Sequence, residues 1–534
     1  MKEIGMQMMK KNVVLLHGVT SSGKTEVYIH LIKQALDEHK QVLYLLPEIA
    51  LTVQIMERLH RVFGDRLGIY HSKYSDAERV EIWQKQMSDH PYDVILGARS
   101  AVFLPFQKLG LVIVDEEHET SFKQTEPAPR YHARNVALVM ARMSGAKTLL
   151  GTATPSLESY SNAVAGKYGY VSLTTRFGNV CMPEIEVVDI AELKRKKLMN
   201  GPFSPVLLRE IRQALERKEQ VILFQNRRGF APVVECHVCG WTPQCPHCDV
   251  SLTFHKRSNS LTCHYCGFST SVAQRCPQCD ADRLSSKGYG TERIEDVLAS
   301  IFPDARVARM DLDTTRSRSA YEGIIKGFQR GDTDILIGTQ MVTKGLDFRR
   351  VSVVGILNAS TMLNQPDFRS YERAYQMMTQ VAGRAGRSSA CNGQNVRPGR
   401  VILQVHDAKQ PTVMQVVRGD FEGMFRTQME ERRLFMYPPL CRLVYVYIKH
   451  KDEIVLEHLA EELAALLRQV FGHRVLGPDM PPIARVQTMY IRKVCLKLEL
   501  TANMAEARRR LHEIQKYMTS KPEYKSAVMY YDVD

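Results

Sequence analysis

Apolar residues gather in short runs along the first part of the chain, at 13–16, 42–46, 94–96, 111–114 and 148–150, with stretches of helical character between them. Strands that are apolar without alternation are buried on both faces, so the pattern predicts a parallel sheet covered by helices. A second set at 221–224, 335–337, 351–356 and 401–403 predicts a second α/β layer. From about 409 the rhythm changes. Strand 441–449, helix 452–470, strands near 483–487 and 494–500, helix 504–518 and strand 526–533 follow one another. That order, β-α-β-β-α-β, is the order of a ferredoxin-like unit.

Length and composition set the frame for these elements. At about 150 residues per domain, 534 residues correspond to three or four domains. Apolar residues at 44% and charged residues at 24% exclude wholesale disorder. No apolar run nears the ~20 residues that cross a bilayer, and the N-terminus has no basic region followed by an apolar signal core. The expectation is a cytoplasmic protein. Lys and Arg outnumber Asp and Glu by 72 to 58, a net charge of +14. An excess of that size suits a polyanion, because fixed cations displace the counterions condensed on phosphate.

Eight of the 12 cysteines fall between 236 and 279, inside the second strand set. They form the C-x-x-C pairs Cys236/Cys239, Cys245/Cys248, Cys263/Cys266 and Cys276/Cys279. A chain of this size without an export signal is a poor setting for a disulfide framework, whereas each pair can offer thiolates to a tetrahedral Zn²⁺. Eight ligands imply two ions, with closed, structural shells. The gap between Cys248 and Cys263 is close to a zinc-ribbon spacing, which makes the inner pairs natural partners. Sequential and crossed pairings stay open. The neighbouring His237, His247 and His264 are surplus to that ligand set.

A phosphate site is written at Gly18-Val19-Thr20-Ser21-Ser22-Gly23-Lys24-Thr25, followed by Glu26. The glycines let backbone N–H groups close around phosphates, Lys24 reaches the terminal phosphates, and Thr25 can hold Mg²⁺. Chance supplies such a pattern in about 2% of chains this long. Its partner is Asp115-Glu116-Glu117-His118, acids delivered by an apolar strand to the sheet edge where ligands bind. Asp115 is placed to hold Mg²⁺ through water and Glu116 to orient or deprotonate the attacking water.

With these motifs the chain resembles a superfamily 2 helicase. Residues 115–118 look like its DEAH-type box, and Gly151-Thr152-Ala153-Thr154-Pro155-Ser156 is similar to the motif coupling hydrolysis to movement. Residues 338–348, holding Thr343, Gly345 and Asp347, and 380–387, holding Arg384 and Arg387, complete the resemblance. It implies an ATP site built from Gly18, Thr20, Ser21, Ser22, Gly23, Lys24, Thr25, Glu26, Gly345 and Asp347, with Arg384 and Arg387 as arginine fingers. Further phrases at 15–20, 26–28, 46–52, 97–103, 226–230, 290–293 and 366–369 are similar to the PriA family of primosomal helicases over nearly the whole chain. That family usually carries a 3′-end-binding domain, a winged helix and an adenine-contacting glutamine before the phosphate loop. Here about a dozen residues precede the first strand, so a core without those modules is expected, with Gln7 the glutamine at hand.

The resemblance implies nested zinc pairing, one ion on Cys236, Cys239, Cys276 and Cys279 and the other on Cys245, Cys248, Cys263 and Cys266. Residues 119–132 interleave aromatics and cations around two prolines, which predicts a loop, and they resemble the family's aromatic-rich DNA sensor. Phe122, Lys123, Arg130, Tyr131 and His132, with Arg99, Ser100 and Thr343, are the expected DNA contacts. The plainer alternative is that Phe122 and Tyr131 pack inward. In the C-terminal unit Arg432, Arg433, Arg442 and Arg492 are candidates for single strands, or Arg492 for the tail of single-stranded-DNA-binding protein.

The expected fold class is therefore α/β: two RecA-like P-loop helicase lobes, an inserted double-zinc module and a C-terminal α+β, ferredoxin-like domain. The expected boundaries are 1–195 for the first lobe, 196–232 with 283–408 for the second, 233–282 for the zinc insertion and 409–534 for the last domain. The expected function is ATP-dependent 3′→5′ unwinding of DNA at stalled or collapsed forks, restarting replication by initiating primosome assembly. ATP, Mg²⁺ and two structural Zn²⁺ are its cofactors. Its partners are single-stranded and forked DNA, single-stranded-DNA-binding protein, primosome proteins and the replicative helicase loading system, with no membrane and a place at the bacterial nucleoid. The same motor would also serve an RNA helicase or remodelling ATPase, or a primosome scaffold with weak motor activity.

Overall fold

The computed structural model describes the chain apart from residues 48–52, 72–73, 227–232, 237–240, 248–250, 256–259, 264–267, 274, 282–283, 288–290, 312–313, 316, 344–347, 349, 366 and 387–396. The chain divides into two compact units, 1–226 with 293–428, and 227–292 with 429–534. No helix among the described residues is long and apolar enough to cross a membrane.

The first unit holds two sheets. Strands β1 (Val13–Gly18), β2 (Gln41–Leu45), β3 (Leu67–Tyr70), β4 (Val94–Gly97), β5 (Leu109–Asp115), β6 (Lys147–Thr152) and β7 (Gly169–Leu173) lie in the order β3-β4-β2-β5-β6-β1-β7. All its pairings are parallel. Both faces are covered, Val14, Leu16, Tyr44 and Ile113 packing on one side and Leu15, Leu43, Val112 and Val114 on the other. This arrangement is why the runs are apolar at consecutive positions rather than alternate ones. The short edge strands β3 and β7 were outside the sequence-based set.

The second sheet runs Val307–Met310, Ile335–Gly338, Gln220–Phe224, Val351–Ile356, Arg400–Val405, Glu184–Asp189 in spatial order, again parallel. Glu184–Asp189 was expected within the first lobe, ahead of 195. It pairs instead along Arg400–Val405, with Arg400 reaching Glu184 and Glu186. Helices Pro411–Arg418 and Phe421–Leu434 begin beyond the expected 409 boundary, yet Val413, Val416, Phe421 and Met424 are buried in this lobe's core.

The second unit joins the cysteine-rich insertion to the C-terminal domain. Val233–Cys236 pairs with Leu284–Lys287 at the base of the insertion, and Thr253–His255, Ser260–Thr262 and Ser269–Ser271 form a three-stranded antiparallel sheet. The C-terminal strands Cys441–His450, Val475–Asp479, Met489–Glu499 and Val528–Val533 are mutually antiparallel neighbours. Numbered along the chain, their spatial order is fourth, first, third, second, the ferredoxin-like arrangement. Helices Glu453–Phe471 and Met504–Ser520, N-capped by the Asp452 and Asn503 side chains, supply the apolar cover. The expected strand near 483–487 is a two-residue ladder at Arg485–Val486, and the second strand proper is Val475–Asp479.

Candidate nucleotide and DNA site

Strand order brings the chemistry together. β6 lies between β5 and β1, so Asp115, the Thr152–Ser156 segment and the phosphate loop share one carboxyl edge. In register, Asp115 pairs with Gly151 and His17 with Thr152. Adjacent strands are about 4.8 Å apart, which puts the ends of β1 and β5 roughly 10 Å from each other.

The loop Gly18–Gly23 leads into helix Lys24–Asp37. Gly23, the residue before the helix, has φ 86°, a left-handed conformation that favours glycine, and the helix opens with its N–H groups facing the loop. Ser21 is also left-handed, and Ser22 N–H donates to the Val19 carbonyl at 3.1 Å. The Lys24 ammonium folds over the loop and donates to the carbonyls of Gly18, at 2.7 Å, and Val19, at 3.3 Å. Thr25 and Glu26 follow in the first turn, where Glu26 pairs with Arg58.

At the end of β5, the Asp115 carboxylate accepts from Tyr28 at 2.9 Å, from Tyr44 at 3.5 Å and from the Glu116 N–H at 3.1 Å. Burial and the neighbouring Glu116 push its carboxyl up to about 7, against the pull of Lys24 and the Tyr28 hydroxyl. A raised carboxyl of this kind suits a divalent cation, whose charge favours its ionised form, and Thr25 supplies the hydroxyl expected of such a site. Glu116 stands at φ 50°, a left-handed strain that marks the turn after the strand.

The next two residues of the acid box connect outward. Glu117 is fully buried and accepts from Ser156 N–H at 2.7 Å, Ser156 Oγ at 3.0 Å, Ser159 Oγ at 2.7 Å and Arg134 Nη1 at 2.6 Å. His118 takes a hydrogen bond from Gln380 Nε2 on its Nε2, at 2.8 Å, which leaves Nδ1 to donate to Thr152 Oγ1 at 2.7 Å. Gln380 also donates to Glu116 at 3.3 Å.

Gln380 belongs to the second lobe, on helix Ser370–Ala382, and it has company. Gln376 donates to the carbonyls of Thr154 and Pro155, and Glu372 accepts from the Leu157 N–H at 2.9 Å. Residues four apart share a helix face, so 372, 376 and 380 form one polar row against the first lobe. Just past the helix, a methyl group added to Gly383 would lie 2.5 Å from Thr20 Oγ1, so only glycine allows so close an approach to the phosphate loop. Arg176, buried between the lobes, donates to Thr20 Oγ1, Gly383 O, Ala385 O and Cys181 O. Cys181, which lies outside the cysteine-rich stretch, is disulfide-bonded. Sequence reading missed Glu372, Gln376 and Arg176, for polar residues on an amphipathic helix or in a connector read as solvated surface.

Arg384 is buried at 9% exposure, and its guanidinium lies near Tyr321 of its own lobe, where it restrains a hydroxyl that burial drives up to about 12. Arg387, Gly345 and Asp347, and the Thr343 side chain, lie outside the described residues.

The expected DNA loop is more internal than its composition suggested. Phe122, expected to stack on bases, is fully buried with Ala101, Val102 and Ala133, so its ring serves the core. The loop closes on itself through the Lys123–His132 bridge and Gln124 N–H to Tyr131 O at 2.8 Å. Arg99 anchors it by donating to the carbonyls of Ser121 and Lys123. Ser100 sits in the same short helix, Arg99–Phe103, and Arg130 faces Glu126 at 3.5 Å. His132 is kept neutral, its pKa lowered to about 2 by burial and by Arg134 and Lys123, so it offers phosphate no charge. Tyr131 sits edge-on to Phe103 at 4.8 Å, and Phe103 is 49% exposed.

In the second unit Cys245 and Cys263, one from each inner pair, are buried in one small cluster with Val234, Leu252 and Leu261. The His247 N–H points at Cys245 Sγ, at 3.4 Å, a contact that suits a metal-bound thiolate. Cys276 is buried and Cys279 exposed. Cys239, Cys248, Cys266 and the Cys236 side chain lie outside the described residues. Among the described residues no group of three His, Cys, Asp or Glu side chains converges. Arg492, 4% exposed, is held by Glu453 and Glu457, and Arg432 is buried on the Pro438 carbonyl, so neither offers a free cation to a strand or an acidic tail.

Comparison with known proteins agrees with this layout. Residues 2–163 match the DEAD/DEAH box helicase family, 245–270 the PriA DNA helicase Cys-rich region domain, and 289–389 the helicase conserved C-terminal domain. The replication restart protein PriA of Bacillus subtilis is 40% identical over 506 residues, 94% of this chain and 61% of that one. Those of Treponema pallidum and Rickettsia conorii are 38% and 36% identical and are covered to 71% and 72% of their length. The chain spans about three fifths of the length of the Bacillus relative. Matched along nine tenths of its own residues, with two helicase lobes and the cysteine-rich module in the same order, the chain belongs to the PriA replication restart protein family.

Proposed function

We propose that this chain is an ATP-driven DNA helicase that moves 3′→5′ and acts at stalled or collapsed replication forks, where it starts primosome assembly. The observation that supports this most is the shared cleft: Gln380 of the second lobe bonds Glu116 and His118, while Gly383 presses on Thr20 of the phosphate loop. In this reading the loop N–H groups and Lys24 hold the triphosphate, and Glu116 orients and deprotonates water. Asp115 and Thr25 would hold Mg²⁺, which offsets phosphate charge when bound. Arg384 and Arg387 act as fingers, and such groups contribute about 10³–10⁵ in rate. Arg384 has to leave its place by Tyr321 for that role, so the turn at 383–386 rearranges when ATP binds. The Glu372, Gln376 and Gln380 row carries the change to the Thr154–Leu157 segment.

DNA is placed across Ser100, Arg130 and Tyr131, with Thr343 on the second lobe and Phe103 as the stacking ring in place of Phe122. Arg99, Lys123 and His132 shape that loop. Two Zn²⁺ hold the cysteine module, nested as the family resemblance implies, and single-stranded-DNA-binding protein and primosome components are its protein partners. The test is unwinding of forked DNA, with ATP turnover measured on matched DNA and RNA single strands. Lys24→Ala and Glu116→Gln are expected to abolish DNA-stimulated turnover without loss of fold. Near-normal turnover in either would refute the assigned site, and stronger stimulation by RNA than by DNA would favour an RNA-directed motor.

A further inference from the structure

The connector that leaves β7 crosses the phosphate loop on its way to the second lobe. Arg176 turns inward and binds both sides of the cleft, as described. Phe177 turns the other way and is 80% exposed. It is nevertheless tightly placed: its N–H donates to the Ser21 carbonyl at 2.9 Å, and a methyl group built on Gly23 would lie 4.0 Å from its Cβ and its ring edge. Gly178, at φ 74°, turns the chain away behind it. A large apolar ring is thus held in water against the loop that the ATP-site reading assigns to phosphate. Leaving such a ring wet forgoes burial that a flat ligand can recover.

We propose that Phe177 is the nucleobase platform of the nucleotide site, its ring stacking on the base of the triphosphate that the 18–25 loop holds. The proposal rests on the ATP-site reading above and adds what recognises the base. Gln7, the glutamine offered by the sequence, is elsewhere: a methyl group on Gly169 would meet Gln7 Oε1 at 2.9 Å. Gly169 pairs with Val14, at the opposite end of β1 from Gly18 and about 13 Å away at 3.3 Å per residue. Stacking uses the π-face that every base has, so it tolerates base identity and favours the larger purines. The site is therefore expected to take ATP and GTP alike, and CTP and UTP more weakly.

The test compares the whole chain with Phe177→Ala, Phe177→Tyr and Phe177→Trp, using ATP and inorganic tripolyphosphate as ligands. Phe177→Ala should weaken ATP binding and raise KM roughly tenfold, with kcat within about twofold and tripolyphosphate affinity unchanged. Phe177→Tyr should restore ATP affinity, and Phe177→Trp emission should be quenched by ATP and not by tripolyphosphate. Unchanged ATP affinity in Phe177→Ala, or an equal loss for tripolyphosphate, overturns the platform. Lys24→Ala measured alongside separates the two readings. If the native chain binds both ligands and Lys24→Ala neither, an unaffected Phe177→Ala defeats the platform alone. If the native chain binds neither, the ATP site itself falls and the platform with it.

Discussion

His17, the residue before the phosphate loop, shows how burial writes pH dependence into the fold. The Tyr170 hydroxyl donates to its Nδ1 at 3.0 Å, and its ring packs on Phe421 at 5.1 Å. Burial lowers its pKa to about 4, with Lys24 adding to the shift and the Ala153 carbonyl and Glu117 opposing it. Unfolded histidine titrates near 6.5, so below that pH the unfolded chain takes up a proton the folded one refuses. Stability should therefore fall as pH drops from about 6.5 to about 4, by up to about 1.4 kcal/mol per pH unit for this group, and the contribution levels off below. Urea unfolding across that window should show a steeper pH slope for the native chain than for His17→Gln, and equal slopes would remove His17 from the account. Gly383 gives a second residue-scale expectation. With Thr20 Oγ1 only 2.5 Å from an added methyl, Gly383→Ala should push the lobes apart and lower ATP turnover at least about tenfold at little change in Tm, checked by steady-state kinetics and a thermal melt.

At the scale of an element, helix Ser370–Ala382 carries one face into its own lobe's core and another onto the first lobe. Tyr375, Met378, Val381 and Ala382 pack inward, while Glu372, Gln376 and Gln380 bond across. Glu372→Leu removes the acceptor of the buried Leu157 N–H, a loss of about 1–3 kcal/mol. It should also cut DNA-stimulated turnover more than basal turnover, which ATPase assays with and without single-stranded DNA will read. The phosphate loop and acid box were legible because their chemistry is local: a strand, a tight turn and a helix start suffice to specify them. The polar row was not, because its meaning lies in a lobe more than two hundred residues away. Phe122 misled for the same reason. An aromatic among cations looks like a base-stacking residue until it is seen buried in the core that Ala101, Val102 and Ala133 share. Edge strands such as β3 and Glu184–Asp189 are short or polar at alternate positions, and only their neighbours reveal them.

Taken whole, the chain is two units built by three passes of the backbone, at 226–227, 292–293 and 428–429. The cleft belongs to one unit and the cysteine module to the other. Chelation should therefore release about two zinc ions per chain and disable unwinding while leaving basal ATP hydrolysis within about twofold, since metal binding is folding energy for the module alone. Metal analysis with parallel ATPase and unwinding assays would show it, and fewer than one zinc per chain would defeat the paired-site reading.

Within its unit the cysteine module leans on a hairpin made much later. The Thr488 N–H donates to the His247 carbonyl at 2.8 Å, and Val486 packs on the cluster around Cys245 and Cys263. About 240 residues separate the two sides of that contact. At ribosomal speeds of about 5–20 residues per second, the ribbon emerges tens of seconds before its support exists. Through that interval metal capture is what can keep the nascent ribbon in shape, so zinc starvation during synthesis should reduce the yield of intact chain rather than the specific activity of the molecules that survive.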